Sequence, residues 1–423
     1  MEKLKAKSVT LKPGEELRLE VDFSKTVYIK LIKGNAEIFG AELGSNTYYE
    51  FSCEKFAIYT WEGCEIEIRG ELSSEYTSNE TPMNVYMNLH LALQQLRDKA
   101  KQQGSEGPRL LILGPTDSGK TTLCKILTNY AVKQDETPVL VNLDTSEGMV
   151  SVPGSISATC ISRFISPEDG FMSYGVTGSS GKTDSPLVYH YGNSLPNKHL
   201  SLFQKLLKCL ANNVNKQIET NKSAQNSGFI IDTGGHVESS SYALIDQIID
   251  LFKVNLVLII GNEKLYNDYI KKYNDQPNIS VAKVPKSGGV VDRSSLYIQN
   301  YQNNHIKQYF YGTNSEKLQS FSKIVKISDI SLYKIGQDTL APSSTLPLGE
   351  TRKISETQIT KVEIDEKLSH YLVAILHLDP VTNQEKLDNN EIHIKEEDTE
   401  SLLDEDLVLN SPVLGYINMQ VFS

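Results

Sequence analysis

Gly114 and Gly119 enclose four residues and run directly into Lys120 and Thr121, and this G-x4-G-K-T spacing is the pattern of a phosphate-binding loop. Each residue type answers a need of that chemistry. The two glycines free the backbone between them, through Thr116, Asp117 and Ser118, to curl its N–H groups around a β-phosphate. Lys120 reaches the terminal phosphates, and the Thr121 hydroxyl holds Mg2+. Thr122 lies in the first turn of the following helix, whose N-terminal dipole points at the same anion. A second run, 175–183, also ends in Gly-Lys-Thr, but its first glycine is one residue too far away and no apolar strand precedes it, so it reads as a surface loop.

Two carboxylates compete for the magnesium side of the loop. Asp144 closes the apolar run VLVNLD and Asp232 closes GFIID; at such strand ends an aspartate holds the hydration shell of Mg2+ or positions a nucleophile, and either also suits an N-cap. Asp232-Thr233-Gly234-Gly235 has the outline of a GTPase switch. The guanine-reading N-K-x-D is missing, however, with Gly261-Asn262-Glu263-Lys264 in its place, which argues against a GTPase. The stretch 286–293, KSGGVVDR, suits a mobile lid in which Gly288 and Gly289 supply hinge freedom; Arg293 then lies over the phosphates, or else is a solvent-exposed turn residue.

These residues need rigid strands behind them. From residue 110 apolar runs alternate with helical patterns: strands over 110–113, 139–143, 229–231, 256–260 and 279–284, and helices over 120–132, 200–218, 242–252 and 264–273. Continuous apolar strands between helices imply a mainly parallel sheet covered on both faces, with ligand residues at the carboxyl ends of the strands. Gly114, Asp144 and Asp232 all stand at such ends. Before this lies a small all-β module, with strands over 8–11, 17–21, 27–32, 36–39, 48–51, 56–60 and 65–69, in which Trp61 is a core or rim aromatic. A helical stripe follows, Met83, Tyr86, Leu89, Leu93 and Leu96, and the polar tract 99–108 reads as a linker. After Gly312 the chain is again strand-rich, at 324–327, 331–335, 359–364, 371–378 and 416–422. A Pro/Ser/Thr connection at 341–348 and an acidic tract at 395–406, a solvated loop or a docking segment for a basic partner, interrupt it. The expected units are 1–98, 99–311 and 312–423.

Composition narrows the function. A net charge of −11 excludes a broad basic surface, so any RNA contact is local. The 5 cysteines lack C-x-x-C spacing and the histidines stand apart, which gives neither a disulfide framework nor a transition-metal site and suits a reducing compartment. No signal core or membrane-length apolar run is present, so a soluble intracellular protein without membrane contact is expected.

Taken in order, GPTDSGKTTLCKILTNYAV, VNLD with EGMVSVPG, SPLVYHYGN, LVLIIGNEKLYND, VPKSGGVVDRS and QYFYG resemble the motifs of the eukaryotic Clp family, and GNAEIFGAEL resembles its amino-terminal domain. That family comprises polynucleotide 5′-hydroxyl kinases and the related mRNA 3′-end cleavage factor subunit. The resemblance implies an N-terminal β-sandwich, a central phosphate-loop domain and a C-terminal α/β domain. It implies ATP with Mg2+, the adenine held by a glutamate and a lysine that fall at Glu16 and Lys55. Three departures bear on catalysis. The D-x-G-Q of active kinases is here Asp144-Thr145-Ser146-Glu147, the tryptophan that clasps RNA is His236, and the lid carries Arg293 without the further arginines. The resemblance therefore implies an ATP-binding structural subunit of nuclear pre-mRNA cleavage and polyadenylation without kinase turnover. Its partners would be other cleavage and polyadenylation factors and the cleavage factor IA scaffold subunit that links to the RNA polymerase II C-terminal domain. The alternative is an active RNA 5′-hydroxyl kinase using Lys120, Asp144 and Arg293.

Overall fold

The computed structural model describes residues 6–168, 170, 186–313, 317–336, 356–377 and 405–421; the expectations placed on 175–183, 341–348 and 395–404 lie outside these. The first nine strands are β1 (Ala6–Leu11), β2 (Glu16–Glu20), β3 (Val27–Gly34), β4 (Glu37–Ile38), β5 (Ala41–Glu42), β6 (Tyr48–Phe51), β7 (Lys55–Tyr59), β8 (Cys64–Arg69) and β9 (Ser74–Ser78). They form two antiparallel sheets, in the orders β1-β8-β3-β6 and β5-β4-β7-β2-β9. Alternation drives the pairing: Val27, Ile29 and Leu31 of β3 and Ile66 and Ile68 of β8 meet Leu17, Leu19 and Ile58 in one apolar core. On β2 the opposite face, Glu16 and Arg18, is buried too, because the central domain covers it. Trp61 is a rim aromatic, 36% exposed and edge-on to Tyr59.

Helix α1 (Met83–Gln103) follows and extends into the tract read as a linker, ending where Gly104 adopts φ 62°. Its inward face includes two polar residues. Arg97, 1% exposed, donates from Nε to the Ser227 carbonyl at 3.0 Å. Nearby Glu136, 2% exposed, accepts from Lys101, Gln94 and Ser227 at 2.5, 2.7 and 2.8 Å. His90 is buried edge-on to Tyr130, and burial, reinforced by Arg97, lowers its pKa to about 4. Burial does the same to His190. Both pKa values fall below the unfolded value, so the neutral rings stabilise the fold fully above pH 6.5, and that stability is lost as pH falls toward 4. We expect His90→Leu to flatten the acid loss between those limits by on the order of 3 kcal/mol, read from urea melts across pH. An unchanged slope would refute this.

The central sheet is built from β10 (Arg109–Leu113), β11 (Val139–Asn142), β12 (Ser155–Cys160), β13 (Leu187–His190), β14 (Phe229–Asp232), β15 (Leu256–Ile260) and β16 (Ser280–Val284), in the order β13-β12-β11-β14-β10-β15-β16. The last five strands of that order are parallel, while β12 and β13 join antiparallel at one edge. The expected mostly parallel sheet is thus present, with an antiparallel margin that the sequence reading did not contain. Its helices are α2 (Lys120–Lys133), α3 (Leu200–Thr220), α4 (Lys222–Ser227), α5 (Tyr242–Leu251), α6 (Glu263–Tyr273) and α7 (Ser295–Tyr311). Leu111 and Leu113 of β10 face α3, α5 and α6, whereas Leu110 and Ile112 face α1 and α2. Burial on both faces explains the unbroken apolar run.

The C-terminal third pairs β17 (Leu332–Ile335) with β18 (Ile359–Val362), and β19 (Leu372–Leu376) with β20 (Val413–Asn418), beside α8 (Glu405–Asn410). The strand expected at 324–327 does not form. None of the described residues pairs with it, and Ile324 is 90% exposed. Val413 and Tyr416 pack instead on Val152 and Val188 of the central domain and on Tyr309 of α7. No helix among the described residues is long and apolar enough to cross a membrane.

Candidate functional site

The fully buried strand β10 delivers the loop 114–119 to the N-terminus of α2. Gly119 takes φ 88°, and a side chain at Gly114 would strike Ser118 Oγ and the Ile260 carbonyl, so both glycines are required by the path of the chain. The loop after β14 presses equally close. A Cβ at Gly235 would stand 2.1 Å from Thr116 Oγ1. This approach brings the two strand ends together. Thr121 Oγ1 donates to Asp232 Oδ2 at 2.6 Å, and Lys120, 6% exposed, donates to the Pro115 carbonyl at 2.8 Å.

Of the two competing carboxylates, Asp232 is therefore the one that touches Thr121. It is 1% exposed, and burial first, with Asp144 and Glu147 adding repulsion, pushes its pKa up to about 7 against the Thr121 bond and Lys120. Asp144 lies near enough to add that repulsion, but its Oδ1 accepts from both the backbone N–H and the hydroxyl of Ser146, at 2.8 and 2.6 Å. His236 is beside it, across Gly234.

Arg293 sits in the site rather than in solvent. Its N–H and Nε donate to Asp117 of the loop at 2.9 and 2.6 Å, and Nη2 pairs with Glu147 at 2.5 Å. Burial alone would lower its pKa, but Glu147 and Asp117 outweigh that and raise it. Behind it the lid presses on the sandwich, since a Cβ at Gly289 would meet Arg18 Nε at 2.7 Å.

Around the loop is a cleft of about 450 Å3, walled by the sandwich, the phosphate loop, the lid and α7. Glu16 and Lys55 both line it. Glu16 accepts from Arg18 Nε at 2.6 Å and Thr81 Oγ1 at 2.7 Å; Lys55 donates to Glu20 at 2.6 Å and lies over the Tyr297 ring. The loop backbone, the buried Ser118 hydroxyl, which has no hydrogen-bond partner, and the Thr121–Asp232 pair make a donor set suited to a phosphate with a hard cation. A second chamber of about 290 Å3 continues beyond Thr121 and Asp144, between the sandwich and α7.

Sequence reasoning did not find α7 as a wall of the site. Tyr297 donates to the Cys53 carbonyl at 3.1 Å, Tyr301 lines both cavities, and Gln302 donates to the Ser146 carbonyl at 2.5 Å. The available signal was the aromatic spacing Tyr297, Tyr301, His305 behind the capping residue Ser294.

Comparison with known proteins gives matches along most of the chain. Residues 10–100 match the family described as the N-terminal beta-sandwich domain of polyadenylation factor, 114–312 the P-loop of mRNA cleavage and polyadenylation factor CLP1, and 318–422 the pre-mRNA cleavage complex II protein Clp1. An mRNA cleavage and polyadenylation factor clp1 of Botryotinia fuckeliana is 36% identical over 385 residues, 89% of this chain and 83% of that protein. A polyribonucleotide 5′-hydroxyl-kinase Clp1 of Danio rerio is 37% identical over 366 residues, 86% of this chain and 80% of that protein. A solved Clp1p–Pcf11p complex superposes with a TM-score of 0.79 at 23% identity, over 97% of this chain and 90% of that one, a likeness of fold. With the phosphate loop, the sandwich and the C-terminal unit all accounted for, this chain belongs to the Clp1 family of mRNA cleavage and polyadenylation factors.

Proposed function

We propose that this chain is an ATP-binding structural subunit of the nuclear machinery that cleaves and polyadenylates pre-mRNA, organised as units 1–98, 99–311 and 312–423, and that it holds Mg2+–ATP without turning it over. The relatives' names support the process, and the Clp1p–Pcf11p complex among its structural neighbours supports a protein partner. On this reading the partner is the cleavage factor IA scaffold subunit that links to the RNA polymerase II C-terminal domain. Lys120 and the loop N–H groups bind the phosphates, Thr121 with Asp232 or Asp144 holds the cation, and Glu16 and Lys55 face the base. Bound Mg2+ would neutralise phosphate charge.

The observation that carries the absence of turnover is the engagement of Arg293. Phosphoryl transfer needs cationic groups aimed at the transferring phosphate, and lid arginines of that kind are worth about a thousandfold or more in rate. Here Arg293 is engaged by Asp117 and Glu147, while α7 continues with Ser295, Leu296 and Tyr297. Asp144, the group that would receive a hydroxyl proton, already has one oxygen occupied by Ser146. ATP is then a ligand that stabilises the closed arrangement of sandwich and central domain.

The purified chain, incubated with labelled ATP, Mg2+ and a 5′-hydroxyl RNA and passed through gel filtration, is expected to co-elute with unhydrolysed ATP and to leave the RNA unlabelled. Label transfer that disappears in Lys120→Ala would establish the second reading, an active RNA 5′-hydroxyl kinase. That reading is favoured by the complete Lys120, Thr121 and Asp232 set, and in it His236 stacks on the RNA end.

A further inference from the structure

Helix α7 is 17 residues long, yet none of its residues is buried. Its far end, at Ile306, Tyr309 and Phe310, packs half-buried on the cluster that holds Val413 and Tyr416, whereas the end nearest the phosphate loop relies more on polar contacts. Those contacts form a closed circuit around the phosphate loop. Arg293, just ahead of the helix, grips Asp117 in the loop and Glu147 in the turn after β11. Nine residues later, Gln302 Nε2 donates to the carbonyl of Ser146, in the same turn. Ser146 in turn gives its N–H and its hydroxyl to Asp144 Oδ1. From below, the turn is held by Asn142, which exchanges bonds with the Asp144 backbone, and by the Gly154 N–H on the Thr145 carbonyl. From α7, Gln302 holds the Ser146 carbonyl, and His305, one turn further along the helix, bonds the Gly148 backbone in the same turn.

We propose that Gln302 is a positioning residue for the cation of the nucleotide site: through Ser146 it fixes the Asp144 carboxylate, so that retention of nucleotide with Mg2+ depends on α7 being in place. Gln302 lines the cleft, and the part assigned to it is indirect. Its amide fixes a carbonyl, the carbonyl fixes Ser146, and the two Ser146 donors leave Asp144 Oδ2 as the oxygen available to a metal-bound water. Loss of the amide donor leaves the Asp144 bonds intact but lets the turn shift, and the cost falls on Mg2+ dependence rather than on phosphate contacts made by Lys120 and the loop.

This inference rests on the chain holding Mg2+–ATP, and its test separates the two. The measurement is the Mg2+ concentration that gives half-maximal retention of labelled ATP by the full chain, with a fluorescent ATP analogue in EDTA reporting metal-free binding. Gln302→Glu keeps the shape but removes the donor, and is expected to raise the Mg2+ half-point about tenfold with metal-free binding unchanged. Ser146→Ala, which deletes only the hydroxyl bond to Asp144, is expected to move it in the same direction, and Gln302→Lys, which restores a donor, to return it to within about twofold of the parent. Half-points within about twofold of the parent for both Gln302→Glu and Ser146→Ala overturn the inference and leave ATP binding standing. A parent chain that retains no nucleotide overturns both.

Discussion

Lys120→Ala is expected to lower ATP affinity roughly a hundredfold, about 3 kcal/mol, and to remove the stabilisation that ATP gives the folded chain. Lys120 is 6% exposed at the floor of the cleft, where its ammonium already donates to the Pro115 carbonyl, so it is held in the loop rather than sampling solvent. A phosphate reached from that position makes charge-assisted bonds with little water to screen them. Alanine keeps the helix, since it has the best helix propensity, and deletes the ammonium with its stem and its bond to Pro115. For the parent chain, ATP at a hundred times its dissociation constant should add about 2.7 kcal/mol to unfolding free energy, whereas the variant at the same concentration should gain little. Lys133, in the last turn of α2 and paired with Glu42, provides the control, with a much smaller expected effect for Lys133→Ala. Isothermal titration and denaturant melts with and without Mg2+–ATP check both halves. Equal ATP stabilisation in parent and Lys120→Ala would sink the assignment of the cleft.

The largest effect on stability is expected at a residue far from the cleft. Arg97→Ala should destabilise the fold by about 3–5 kcal/mol, the range for breaking a buried charged network from one side. Burial lowers the Arg97 pKa to about 10 against the attraction of Glu136 and Asp98, so the guanidinium is still a cation at neutral pH. Its removal leaves the Ser227 carbonyl short of a donor and Glu136 with Lys101 as its remaining cation. The site of damage matters for function. Ser227 immediately precedes Gly228 and β14, which ends at Asp232, and Pro108 accepts from Phe229 at 2.9 Å where β10 begins. The network therefore anchors the starts of the two strands whose far ends carry Gly114 and Asp232. Arg97→Met, which refills the volume without a charge, should cost less than Arg97→Ala, and urea melts of the two variants test the order. A loss below 1 kcal/mol for Arg97→Ala would contradict this account.

The parts of the fold legible in the sequence were those in which local chemistry and global position coincide. The phosphate loop could be read because its glycines and Lys120 serve the same purpose in any chain, and β10, β14 and β15 because burial on both faces leaves an unbroken apolar run. Strands β12 and β13 were hidden. Ser155, Ser157 and Thr159 are buried yet polar, and an edge hairpin added antiparallel needs no apolar run. Helix α7 was hidden for a different reason: its inward stripe, Tyr297, Tyr301 and His305, is aromatic and polar rather than aliphatic, and its partners Cys53 and Ser146 are distant in sequence. Residues 324–327 misled because an apolar run is only a strand if another strand lies beside it. Within the site, residue types identified Arg293 and Glu147 separately. Their pairing with each other and with Asp117 depends on the tertiary approach of the lid, which spacing does not encode.

The antiparallel margin has one more consequence. On one side the central sheet is finished by β13, whose Val188 and His190 lie against β20 of the C-terminal unit, at Val413 and Tyr416. Among the described residues the other side ends at β16, a parallel strand on which Ser280, Ala282 and Lys283 are exposed. An open row of backbone donors and acceptors is a template for pairing with another chain. Lys283, paired with Glu263 of α6, places charge on that row, and the strand carries only small or charged groups outward. Among the described residues the C-terminal unit thus protects one margin by coverage and Lys283 the other by charge, and both disfavour pairing of two copies of this chain through the sheet.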